Sequence, residues 1–173
     1  SNTPQTTQQN EQQSISPLQE SDTFIDSQGY VQVKPENLSR AIIGKWIGYR
    51  IGVKLNSYIR LPFKIEFKQN NELFTEFKEI RTYSSSSGEF KEIYDTSAKG
   101  NWKLDGIKIN ITFNREDLPP IVWAGCIRIY PKRKLAELTI GVYSGNTVPL
   151  EVFSLFYPEH TIYLKRPELQ WVE

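Results

Sequence analysis

Arg50 is the side chain with the most to offer chemically. It stands between two glycines in Trp46-Ile47-Gly48-Tyr49-Arg50-Ile51-Gly52. In a strand, alternation puts Trp46, Gly48, Arg50 and Gly52 on one face and Ile47, Tyr49, Ile51 and Val53 on the other. An inward guanidinium with glycine on both sides has space for planar, two-point pairing with a carboxylate or phosphate. The Ile/Tyr/Ile/Val face is the more apolar and has the stronger claim on the core. A bulge at Gly48 would reconcile the two; otherwise that face packs on the N-terminal segment or on a partner. Tyr49, Trp102, Trp123, Arg128 and Tyr130 complete the candidate ligand-binding set. Arg128 is the one charge in an otherwise apolar run over 121–130. Trp102, Trp123, Tyr143, Tyr157 and Trp171 are numerous enough to stack sugar rings, although filling the core is the simpler use of such rings.

Catalytic chemistry finds little to work with. His160 is the sole histidine, so a Ser-His-Asp or Cys-His site would depend on it. Cys126 sits in an apolar strand, where an inert thiol is the ordinary outcome. One cysteine excludes an internal disulfide and a cysteine-based metal cluster, and one histidine excludes histidine-rich catalytic zinc. Glu116 and Asp117, and Glu76, Glu79, Glu89 and Glu92, stand near Lys78, Lys91 and Arg115, which reads as a charge-balanced solvated face rather than a catalytic pair. Gly88, Gly141 and Gly145 are isolated and make no phosphate loop. Lys132-Arg133-Lys134 reads as a soluble turn. The net charge of +1 gives no case for nucleic acid, and no apolar run approaches the roughly 18 residues of a membrane-spanning helix. The expectation is a binding protein with no catalytic residues, no metal and no cofactor.

The elements that must position these residues are mostly strands. Aromatics make up 13% of the 173 residues, an enrichment that favours β structure. Residues 1–33 are rich in Gln, Ser, Thr and Asn, hold no Lys or Arg, and carry four acids, Glu11, Glu20, Asp22 and Asp26. Such a stretch buries too little apolar surface to offset its ordering entropy. It reads as a disordered tether, with Phe24, Ile25, Tyr30 and Val31 able to dock on the domain or to form a short strand at its edge. The domain follows over 34–173. Residues 34–42, with Pro35 and Glu36 in the first turn, predict one short helix that Gly44 stops.

Strand signals then run to the end. Trp46 opens the first strand and Pro62 opens the next, where Phe63, Ile65 and Phe67 alternate with Lys64, Glu66 and Lys68. Residues 72–83 follow, then a serine loop at 84–88 and a short strand over 90–95. Asp105-Gly106 marks a hairpin before the cleanly alternating Ile107, Ile109, Ile111 and Phe113. Further strands are predicted over 121–130, 135–143, 148–157 and 160–166. Some eight to ten strands on short turns predict an up-and-down antiparallel barrel, with a two-sheet β-sandwich as the alternative. Strands apolar on both faces predict a covered outer surface or a homo-oligomer.

A helical turn leading into Ile43-Gly44-Lys45-Trp46, then a meander containing Gly100-Asn101-Trp102-Lys103-Leu104-Asp105-Gly106, resembles the calycin superfamily. Within it, the likeness is to the bacterial lipocalin-like domains, over about residues 36–166. The resemblance implies a barrel whose mouth takes a small apolar ligand. It also implies that Trp46, entered through Gly44, plugs one end beneath a basic side chain of the last strand, Lys165 or Arg166. A helix after the last strand, an Arg-x-Tyr carboxylate pair and the tryptophans of a biotin pocket have no match here. The start at Ser1-Asn2-Thr3 without methionine suits a lipoprotein, with a lipid anchor ahead of Ser1 and a place in the periplasm or at the outer membrane. A side-chain-filled barrel that docks an envelope protein, and a carbohydrate-binding sandwich, are the alternative functions.

Overall fold

The computed structural model describes residues 17–54, 56–142, 161–166 and 169–172. The chain begins with β1 (Leu18–Gln19), a 3-10 turn at Glu20–Asp22, β2 (Thr23–Ile25) and β3 (Val31–Val33). A second 3-10 turn (Pro35–Asn37) runs into α1 (Leu38–Ile42). There follow β4 (Gly44–Lys54), β5 (Ser57–Phe67), β6 (Glu72–Ser85), β7 (Gly88–Asp105), β8 (Lys108–Phe113), β9 (Ile121–Tyr130), β10 (Leu135–Val142), β11 (Thr161–Arg166) and β12 (Trp171–Val172). From β4 to β11 each strand pairs antiparallel with the next, and β11 pairs back onto β4. These strands therefore close into a barrel, which a two-sheet sandwich would not do.

The barrel closes because alternation gives its strands a consistent inner face. Leu61, Phe63, Ile65 and Phe67 of β5, Ile109 and Ile111 of β8, Leu138 and Ile140 of β10, and Ile162 and Leu164 of β11 are all buried. Each such side chain contributes about 1.5–3 kcal/mol. Helix α1 buries Leu38, Ala41 and Ile42 against the same core. Gly44, at φ +125°, turns the chain from the helix into β4.

Three expectations need correction. The stretch read as a disordered tether is ordered from residue 17 onward, and the short edge strand expected there is present: Phe24 and Ile25 lie in β2 and Val31 in β3, at the end of the sheet. Strand β1 pairs in parallel with β12, β2 and β3 form a hairpin, and β3 meets β9 at Gln32–Arg128. Composition missed this because the anchors are sparse: buried Leu18 and Val33, and Asp22. The Asp22 carboxylate accepts from the Gln19 amide at 3.0 Å and pairs with Arg40 of α1 at 2.6 Å. Burial pushes this carboxyl up, but the Gln19 and Arg40 contacts outweigh it and hold it below its usual range.

Secondly, Pro62 does not open a strand but lies inside β5, opposite Tyr49. Thirdly, the loop and short strand expected over 84–95 belong to a continuous hairpin of β6 and β7. The strand expected over 148–157, and His160, Tyr143 and Tyr157, lie outside the described residues.

Candidate functional site

Strand β4 keeps its alternation without a bulge, paired residue for residue with β5 and β11. Trp46 is buried, so Arg50 shares its inward face. The more apolar face turns outward, leaving Ile47 55% exposed. Volume decides this: the tryptophan fills a place in the core that its neighbour on the other face, Ile47, is too small to fill. The space expected beside Arg50 is taken. A Cβ at Gly48 would overlap the Tyr163 carbonyl oxygen of β11, so Gly48 is there for close backbone approach. A Cβ at Gly52 would lie 2.7 Å from Leu61 and 2.9 Å from Ile80.

Arg50 has a main-chain task. The Lys68 amide donates to the Glu72 carbonyl at 2.9 Å, which fixes the parity of the β5–β6 ladder. Glu66, Lys64 and Pro62 are then the residues whose main-chain groups face β6. Pro62 has no N–H to offer, and the ladder ends one residue short of it, at Phe63–Phe77. The carbonyl that Pro62 would have served is that of Lys78. Arg50 Nη2 donates to it instead, at 2.5 Å. Burial pulls the Arg50 guanidinium pKa down, and Glu79 draws it back up.

Where β5 and β6 part, a cleft of about 340 Å³ opens in the wall. Pro62, Phe77 and Thr96 line it with Lys64, Glu76, Lys78, Asp95 and Ser97. Its charges are matched: Lys78 pairs with Asp95 at 2.7 Å and Lys64 lies opposite Glu76. The Thr96 hydroxyl is buried with no partner among the described residues. The cleft escaped the sequence reading, although a proline inside an alternating strand is a signal for it.

The other candidates scatter. Trp123 points into the barrel, 6.5 Å from Phe63, which stacks on Phe77 at 5.7 Å. Trp102 lies edge-on to Phe67 at 5.5 Å, and its indole donates to the Lys68 carbonyl at 3.1 Å. Tyr49 is on the outer wall, between Tyr163 and the Arg60 guanidinium. Arg128 covers the Tyr30 ring at 4.1 Å, outside the barrel. The Tyr130 hydroxyl donates to Glu137 at 3.2 Å; burial and that carboxylate raise its pKa.

Of the two basic candidates over Trp46, Arg166 is the one in place, 4.2 Å from the ring centroid. It donates to the carbonyls of Ala41 (3.3 Å), Ile42 (3.3 Å) and Ile43 (2.6 Å). The Trp46 indole itself donates to the Ile42 carbonyl at 2.7 Å. Burial lowers the Arg166 pKa to about 10, so it stays charged at neutral pH. Lys165 faces outward, toward Glu137 at 3.8 Å.

The β6–β7 hairpin forms the second feature. Strand β6 pairs with β5 only as far as Phe77, and β7 pairs with β8 only from Gly100. From Lys78–Asp95 to Ser85–Gly88 the two strands pair, among the described residues, with each other alone. At about 3.3 Å per residue this arm extends roughly 25 Å beyond the ladder it leaves. Tyr83 stacks on Phe90 at 5.3 Å, its hydroxyl donates to that of Tyr94 at 2.7 Å, and Arg81 lies 4.7 Å over the Tyr94 ring. The Tyr94 hydroxyl donates to Glu92, which raises its pKa. Phe90 and Ile93 remain 47% and 41% exposed.

Among the described residues, no three His, Cys, Asp or Glu side chains are grouped to hold a metal. No family model, curated protein or solved structure matches the chain.

Proposed function

We propose that this chain is a non-catalytic interaction module: a lipocalin-like barrel filled by its own side chains, which takes a partner protein on its outside. The observation that carries this reading is the β6–β7 arm. An isolated two-stranded hairpin is marginally stable in water, and this one exposes Phe90 and Ile93 at its surface. The interior offers less. Trp46, Phe67, Trp102, Phe63 and Trp123 are buried within it, and the glycine spaces beside Arg50 are occupied. Arg166 over Trp46, the contact that the lipocalin-like resemblance implies, supports that part of the proposal. Placement on a tether at the cell envelope belongs to the same proposal, and its support is the polar composition of residues 1–16, which hold no Lys or Arg.

A small amphipathic ligand is the second reading, favoured by the inward, half-buried Arg50 beside the wall cleft. A sugar-binding face loses two of its aromatics, since Trp102 and Trp123 are only 4% and 7% exposed. Native mass spectrometry of protein from its natural host separates the first two readings. The expected result is the mass of the bare polypeptide, alone or in protein complexes. A retained small molecule that leaves on denaturation would overturn the module reading in favour of the ligand reading.

A further inference from the structure

The edge of β7 that no described strand covers is self-complementary, and we propose that two copies of this chain pair through it, edge to edge and antiparallel. The proposal rests on the interaction-module reading and names the partner of the arm. Its basis is the parity of the strand. The Lys99 carbonyl accepts from the Asn114 amide at 2.9 Å, and the Ser97 carbonyl from Arg115 Nη1 at 3.3 Å. Odd-numbered residues of β7 therefore aim their main-chain groups at the β8 side. Strand β8 reaches only to Gly100. Glu89, Lys91, Ile93 and Asp95 thus present their N–H and C=O groups along an edge that no described strand covers. Proteins usually blunt such edges with proline, bulges or a covering element. The wall gap has Pro62 and Arg50; this edge has no proline.

A two-fold axis normal to the sheet brings residues of the same face opposite each other, so only registers centred on a residue are allowed. Centring on Lys91 sets Lys91 against itself. Centring on Glu92 sets Glu92 against itself and Glu89 against Asp95. Centring on Ile93 sets Ile93 against Ile93 and Lys91 against Asp95, twice. Ile80 lies across from Ile93 within the arm, and Lys78 across from Asp95. The pairing would therefore make a four-stranded ribbon with an unbroken isoleucine stripe and alternating charges beside it. It would also turn a marginal hairpin into a sheet wide enough to hold together.

Sedimentation velocity on the full chain, up to about 100 µM, tests this with Lys91→Glu and Asp95→Lys. The wild type is expected to dimerise reversibly. Each variant alone places like charges opposite each other and should dimerise about tenfold more weakly or worse. An equimolar mixture should recover the dimer. In the mixed pair the introduced glutamate faces the introduced lysine, and the native Asp95 of one copy faces the native Lys91 of the other. Circular dichroism checks that both variants are folded, which matters for Asp95→Lys because it also loses the Lys78 ion pair. Amide exchange on the wild type needs no variant. Protection at Lys91, Ile93 and Asp95 should rise with concentration, while Glu92 and Tyr94, which face β6, stay constant. A monomeric wild type, variants that dimerise normally, or a mixture that stays monomeric each overturns the pairing. None of these touches the module reading, which fails only to a retained small molecule.

Discussion

Arg166 does two jobs with one guanidinium. Its face lies on Trp46, and its N–H groups reach three carbonyls at the end of α1. A cation–π contact is worth about 0.5–2 kcal/mol and a hydrogen bond from a charged group about 1.5–3 kcal/mol. Arg166→Met should therefore cost about 2–4 kcal/mol in urea unfolding. Arg166→Lys should recover less than half of that, because an ammonium cannot span three carbonyls and a ring together. Equal stability of the lysine variant and the wild type would refute the fork geometry. The choice between Lys165 and Arg166 follows from parity. Ile162 and Leu164 are buried, so the next inward residue of β11 is Arg166.

At the level of elements, Pro62 and Arg50 act as a pair. The proline ends the β5–β6 ladder, and the arginine satisfies the carbonyl left over. Arg50→Leu should cost about 1–3 kcal/mol, since it leaves the Lys78 carbonyl without a donor. Pro62→Thr restores an N–H at the missing rung. It should change little by itself but recover about half of the loss in the Arg50→Leu background. A double-mutant cycle over the four proteins is expected to give a coupling of about 0.5–1 kcal/mol or more; additive effects would mean that the two residues do not serve the same carbonyl. This device was half legible beforehand. Alternation placed Arg50 with Trp46, but only the strand register shows what Arg50 faces.

For the molecule as a whole, the question is whether the barrel holds its own side chains or something else. Trp123, Phe63 and Phe77 form one aromatic layer, and Trp102 with Phe67 another. Trp123→Ala should cost about 3–5 kcal/mol and open room beside Phe63. An apolar fluorescent dye should then bind saturably to the variant and not to the wild type. Dye uptake by the wild type with a matching affinity would mean that the lumen is already open.

The short helix before Gly44 and the two-residue period after it were enough to specify an all-β antiparallel fold, with a barrel ahead of a sandwich; the pairing of β11 back onto β4 decided for the barrel. The helix and the period depend on local geometry: side-chain alternation, helix capping and turn chemistry act within a few residues. Nearest-neighbour patterns offered an edge strand at Phe24, Ile25, Tyr30 and Val31, but could not say that residues 18–22 join the fold, because their anchors are a parallel pairing with residues 171–172 and an ion pair to Arg40. Nor could they say which face of β4 points inward. Apolar count favoured Ile47, Tyr49 and Ile51, whereas closing the barrel needed the volume of Trp46 and the bare backbone of Gly48 against β11. Arg50 was singled out as a ligand-pairing group between two spaces. The tertiary structure fills both spaces with Tyr163, Leu61 and Ile80 and turns the guanidinium to a carbonyl. The reason is that Pro62, on the neighbouring strand, lacks the N–H that would have served that carbonyl.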